Sequence, residues 1–210
     1  MAENPQNREN DALAALLQEA AGNTDTRIAH LGRSGLAHLA GDPPPEPPAP
    51  QATALPDATL PHPEIDLGTV RVRLTTNAGT AILALDGDNY PRTVAAFLKH
   101  IDAGLHDDGV FHRVVPAFVV QGGCPRGDGW GDAGYSIPCE YGDLRYEREG
   151  IVGMAHAGKD TGGTQFFISH LPIPRLDGRY TAFGFVEEGM DVIDRIVRGD
   201  HFSLERVTSH

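Results

Sequence analysis

Between Gly41 and Pro63 the chain reads GDPPPEPPAPQATALPDATLPHP, which holds nine of its 16 prolines. Proline has no amide hydrogen to donate and its ring clashes with the preceding helical turn. Such a run therefore excludes a helix and favours extended polyproline II geometry. It reads as a semi-rigid linker over residues 41–66, and it implies a boundary between two units. The flanks differ in what they can bury, because all 14 aromatic residues lie at or beyond Tyr90.

Residues 1–40 carry two helical patterns. Leu13, Leu16, Leu17 and Ala20 recur at helical spacing in DALAALLQEAA, and Ile28, Leu31 and Leu39 do so in TRIAHLGRSGLAHLAG. A short helical hairpin is expected, of unknown role. Without an aromatic residue it buries little, so it is expected to lean on an unknown protein partner or on the rest of the chain. The tetrapeptides IAHL and LAHL stand only eight residues apart, which is no solenoid period.

From Gly68 the period changes. Val70, Val72 and Leu74 alternate with Arg71 and Arg73, and TAILAL follows a turn at Asn77–Gly79, which predicts a hairpin. In DNYPRTVAAFLKHIDAG, Pro91 suits a first helical turn, and Val94, Phe97, Leu98 and Ile101 form one apolar stripe. Further short strands are expected in VFHRVV, AFVVQGG, GIVGMA, TQFFISH and TAFGFVEE, with a last helix in GMDVIDRIVRG. Many brief strands with two helices point to a mainly β domain over 67–210, an antiparallel barrel or sandwich. Parallel crossovers would require a helix after most strands.

Charge narrows the partners. The 29 acidic residues against 17 basic ones leave a net charge of -12, which opposes attachment to phosphate backbones and anionic lipid, so neither nucleic acid nor membrane is expected. No apolar run approaches a bilayer span and the N-terminal segment has no apolar core of a secretory signal, so a cytoplasmic location is expected. Cys124 and Cys139 are too few for a disulfide framework and form no CxxC pair. The histidines show no HExxH, so no metal is expected.

Three stretches carry the chemistry. FHRVVPAFVVQGG sets Arg113 among apolar neighbours, where it is either paired, snorkelling to water, or functional. GMAHAGKDTGGTQFFISH divides two strands with a Gly-rich loop, but it lacks GxxxxGK[ST] and no helix follows, which argues against a nucleotide. LPIPRLDGRYTAFGFVEEGMDVIDRI makes a tight turn at LDG before a strand and helix. Phe166 and Phe167 must face opposite sides of their strand, and Phe167 is taken as the outward one. His112 is expected to point away from Arg113 as a packed histidine.

In this order and spacing the three stretches resemble the cyclophilin family of peptidyl-prolyl isomerases, especially its compact bacterial members, over about residues 67–210. The resemblance implies a closed eight-stranded antiparallel β-barrel capped by two α-helices, with no cofactor. It implies isomerase activity on X-Pro bonds in unfolded or flexible protein segments, in support of protein folding. Arg113 corresponds to the family's catalytic arginine, and Gln121 is expected to orient it. Phe118, Val119, Phe167 and Leu176 correspond to the proline pocket, and Gln121 and Gln165 to polar substrate contacts. Ala155 and His156 correspond to the groove edge that holds the residue before proline, and Tyr180 to its rim. His156 stands where the family usually has asparagine, and Tyr180 replaces a histidine. Arg175 occupies a position where some members have a tryptophan that contacts cyclosporin. Two other readings remain open: a proline-peptide binding module without catalysis, and a groove that takes Pro44–Pro63 as its own ligand.

Overall fold

The computed structural model describes residues 5–22, 26–40, 42–43, 67–132 and 134–207. The chain divides into two compact units, 1–50 and 51–210. In the first, α1 (Pro5–Ala21) and α2 (Thr26–Ala40) form the expected hairpin. Their backbones meet at Gly32, where a Cβ would lie 2.3 Å from the Ala21 nitrogen and 2.7 Å from the Leu17 carbonyl oxygen. Only glycine permits that approach. Of the α1 stripe, Leu17 and Ala20 are half-buried while Leu13 and Leu16 are exposed. The side chains of Ile28 and Leu31 lie outside the described residues, as does the linker apart from Asp42 and Pro43.

The second unit is built on one antiparallel sheet. A hairpin of β1 (Thr69–Thr76) and β2 (Gly79–Asp86) pairs in the register Val72 with Leu83 and Leu74 with Ala81. The alternation sends Val72 and Leu74 inward and leaves Arg71 outside, where it forms a two-pronged ion pair with Glu187 at 2.6 and 2.7 Å. Helix α3 (Pro91–Asp102) buries Val94, Phe97, Leu98 and Ile101, and Phe97 meets Phe166 and Phe183 edge-on at 5.3 and 5.4 Å. The first free amides of α3 are capped from afar. The Glu140 carboxylate accepts from the Arg92 and Thr93 amides, at 3.2 and 2.8 Å, and sets a negative charge at the positive end of the helix.

The remaining strands are β3 (Gly109–Val110), β4 (Arg113–Val115), β5 (Val119–Gly122), β6 (Ile151–Met154), β7 (Phe166–Ser169), β8 (Ala182–Glu188) and β9 (His201–Arg206), with α4 (Met190–Arg195) before the last. The expected eight-stranded closed barrel is corrected to a curled, nine-stranded half-barrel of order β3-β9-β1-β2-β8-β6-β7-β5-β4, with an open ladder. The reason lies at Phe111 and His112, which separate the two edge strands in the chain. The Phe111 amide donates to the Asp200 carbonyl, its own carbonyl accepts from Gly199, and the His112 amide turns back to Val110. Those groups therefore take no part in a ladder between the edges. The two expected helices cap the sheet as α3 and α4. Strand β9, which the sequence reading missed, buries Phe202 and Leu204 in alternation with Ser203 and Glu205.

Candidate active site

The β4–β5 hairpin places the central groups. Its register sets Arg113 opposite Gln121 and Val115 opposite Val119. The connecting turn carries Pro116 at its second position and Ala117 at its third, closed by the Phe118 amide donating to the Val115 carbonyl at 3.0 Å. Ala117 has φ of 56°, left-handed backbone that glycine normally supplies in such a turn. Phe118 emerges from this turn half-buried, and its carbonyl is fixed by the His170 amide at 2.9 Å.

A chain of amides runs from Arg113 into the molecule. Arg113 Nη1 donates to Gln121 Oε1 at 3.3 Å, and Gln121 Nε2 donates to Gln165 Oε1 at 3.1 Å. Gln165 Nε2 donates in turn to the carbonyls of Gly129 and Gly131, at 3.0 and 3.2 Å. The loop that supplies those carbonyls is wound around Cys124, whose Sγ accepts the Gly129 and Gly131 amides, both at 3.2 Å. An ion pair between Arg126 and Asp128 at 2.6 Å, with only 14% and 13% of the side chains exposed, stiffens it further. Each group is thus held by the next, and the last is anchored on backbone.

Beside this chain lies an apolar cluster separate from the sheet interior. It contains Val119, Phe167 and Leu176, buried with 2%, 5% and 9% exposure, and Phe118, Ala155 and Tyr180 border it half-buried. The structure therefore brings together every residue expected for the pocket. Phe166 belongs to the interior cluster and Phe167 to this one, so the alternation divides the pair as expected. His112 is buried while Arg113 is exposed.

The walls are aromatic. Tyr180 meets Phe167 edge-on at 5.7 Å and stacks on His156 at 4.3 Å. His156 Nε2 donates to the Arg179 carbonyl at 2.8 Å while its Nδ1 accepts from the Gly158 amide at 3.2 Å, so its ring is held at both ends. Beneath Phe167 lies Tyr146, stacked at 5.8 Å, with its hydroxyl on the Thr181 carbonyl. Burial pushes the Tyr146 phenol well above its ordinary value, so it remains a neutral wall. Sequence reasoning missed Tyr146, which sits in YGDLRYEREG where no period marks an inward position, and it gave Cys124 no place in the site. Among the described residues no three His, Cys, Asp or Glu side chains converge as a metal site would require.

This geometry joins a charged fork to a half-exposed apolar cluster walled by aromatic rings. A guanidinium held at its base by an amide chain can donate to a nitrogen or carbonyl oxygen laid over the cluster.

Comparison with known proteins agrees. The family described as cyclophilin type peptidyl-prolyl cis-trans isomerase matches residues 71–210. A peptidyl-prolyl cis-trans isomerase of Synechococcus elongatus is 47% identical over 138 residues, which is 65% of this chain and 94% of that protein. Peptidyl-prolyl cis-trans isomerase B of Bacillus subtilis is 49% identical over 118 residues, 56% of this chain and 82% of the relative. A crystal structure of a Cryptosporidium parvum cyclophilin-type isomerase superposes with a TM-score of 0.63 at 26% identity, covering 68% of this chain and 99% of that one. A second structure of that protein, in the presence of the dipeptide Ala-Pro, gives 0.63 at 27% identity.

Proposed function

The chain belongs to the cyclophilin-type peptidyl-prolyl cis-trans isomerase family, and on that premise we propose that Arg113 carries its catalysis while Phe118, Val119, Phe167 and Leu176 hold the proline ring. The activity is isomerisation of X-Pro bonds in proline-containing peptides. Cis and trans forms differ by only about 0.5–1 kcal/mol, yet they exchange over tens to hundreds of seconds, so the demand on the enzyme is kinetic. The barrier, about 18–20 kcal/mol, comes from amide resonance. As the bond twists, the prolyl nitrogen loses conjugation and gains a localised lone pair. A donor aimed at that nitrogen stabilises the twisted state more than either planar one.

The observation that carries this reading is the run Arg113–Gln121–Gln165 beside the apolar cluster. Gln121 and Gln165 fix the direction of the fork, and the remaining donors of Arg113 are free to meet the substrate. The fork donates hydrogen bonds and carries charge without passing a proton, so the role is electrostatic. Burying one proline ring against the pocket is worth about 2 kcal/mol, enough to place the ring without holding the client long. Ala155 and His156 form the edge for the residue before proline, and Tyr180 closes the rim. The clients are unfolded or flexible protein segments, and residues 1–40 with the linker 41–66 form an appendage of unknown role to the isomerase domain.

Cis-trans exchange in a short proline peptide, followed by NMR, tests the assignment. Arg113→Ala lowers kcat/KM by roughly 10²–10³. The unfolding midpoint stays in place, since the side chain is exposed. Wild-type exchange no faster than in buffer would end the reading.

A further inference from the structure

Two cations meet the ring of Phe118. The Arg113 guanidinium carbon lies 5.7 Å from the ring centroid and that of Arg175 lies 4.7 Å from it, both in cation–π range. The two charges are thus no farther apart than roughly one Debye length, about 10 Å at 0.1 M salt, and they repel. By contrast, Arg71, Arg73, Arg126, Arg195 and Arg206 each pair with a carboxylate. Arg113 and Arg175 have no carboxylate partner among the described residues, and both are exposed. In a chain of net charge -12, two arginines without a carboxylate on one ring make a local positive field around Phe118.

The ring they share sets the direction. Tyr180, edge-on to Phe167, and His156, stacked on Tyr180, form a separate wall: among the described residues no ring contact joins either of them to Phe118. With the residue before proline laid along Ala155 and His156, the chain after proline leaves across Phe118 and under Arg175. We infer that the Arg113–Phe118–Arg175 stack selects client segments that carry an acidic residue immediately after the proline. This rests on the isomerase reading above and names its substrate class. Arg113 serves the reacting bond, and Arg175 adds the forked donor that takes the carboxylate. Phe118 keeps both guanidinium planes in place.

The test compares acetyl-Ala-Ala-Pro-Glu-Ala-amide with its Gln and Lys counterparts, capped at both ends so that no terminal charge competes. Exposed ion pairs of this kind are worth up to about 1 kcal/mol. For the wild-type full chain, kcat/KM for the Glu peptide is therefore expected to exceed that for Gln by roughly threefold to fivefold at low salt, with Lys lowest. The Glu-to-Gln ratio should fall towards one in about 0.5 M salt. Arg175→Gln brings the ratio near one at low salt, and Arg175→Glu inverts it. Because each ratio is taken within one protein, a general change in activity cancels. Equal turnover of all three peptides by the wild type, or a ratio that survives Arg175→Gln, overturns the selection and leaves the isomerase reading standing. No turnover of any peptide overturns both.

Discussion

The sheet unit contains two apolar clusters made from the same residue types, and they end differently. In the interior one, Phe97, Phe111, Phe166, Phe183 and Phe202 are all fully or nearly fully buried, and histidines are drawn in with them. His106 packs against the rings of Phe97, Phe166 and Phe202, with neither ring nitrogen hydrogen-bonded, and burial pulls it down to about 3. In the groove cluster the packing stops half-way. Phe118, Ala155 and Tyr180 keep part of their surface in water, and guanidinium and amide groups gather at the edge. The first cluster expels polarity to gain stability, while the second holds polarity at its border, where it can act. The difference lies in whether a cluster is covered by a helix: α3 covers the interior, and the groove is bordered by turns and loops.

Truncation should separate the two most sharply. Phe97→Ala is expected to cost about 3–5 kcal/mol, lowering the melting point by roughly 10 °C or more, with near-normal turnover per folded molecule at low temperature. A cost below about 1 kcal/mol by urea unfolding would show that the interior is not the closed cluster described here.

Acid probes the same contrast. His100, hydrogen-bonded to the Tyr135 hydroxyl at 2.8 Å, is held at about 4 by burial and by the nearby Lys99 charge, and His106 at about 3 by burial and His100. Both are neutral in the native state near pH 6, whereas in the unfolded chain they bind protons below about pH 6.5. The unfolded state then carries more protons, so stability falls with falling pH between about 6.5 and 4. Each histidine contributes up to ~1.4 kcal/mol per pH unit in that window. His106→Phe should flatten the curve by its share and raise stability at pH 5. An unchanged slope in urea titrations across the window would contradict the assignment.

The groove should answer to its amide chain rather than to burial. Gln165→Leu removes the link between Gln121 and the Gly129 and Gly131 carbonyls, and kcat is expected to drop about tenfold with little change in KM, equivalent to ~1.4 kcal/mol. A loss confined to KM would mean that Gln165 only binds. The smallest effect lies in the turn before Phe118. Left-handed backbone costs a non-glycine residue about 1–2 kcal/mol, more than the ~0.4–1 kcal/mol of chain entropy that glycine adds to the unfolded state. Ala117→Gly should therefore stabilise by about 0.5 kcal/mol; a destabilised variant would contradict that balance.

Much of this contrast was legible in the residue order. The alternation of Val70, Val72 and Leu74, the stripe on α3 and the opposite faces of Phe166 and Phe167 are periodic, and period reports which side of an element is buried. The pocket residues came instead from resemblance, because they converge from β5, β7, a 3-10 turn at Pro174–Leu176 and separate loops. Tyr146 and Glu140 were invisible because they act from irregular chain, one under Phe167 and the other at the head of α3, and no local pattern encodes a partner 47 residues away. The open ladder was hidden for the same reason. It depends on where the Phe111 and His112 amides turn, and periodicity does not register a change of partner.

That opening has a consequence for an enzyme that handles extended chains. A sheet edge with unspent amides and carbonyls invites any unfolded strand to add itself, and neighbouring copies can then join into aggregates. Here the two margins are β3 and β4, only two and three residues long. They offer little template for a visiting polypeptide to zip onto, which limits edge-to-edge joining between copies.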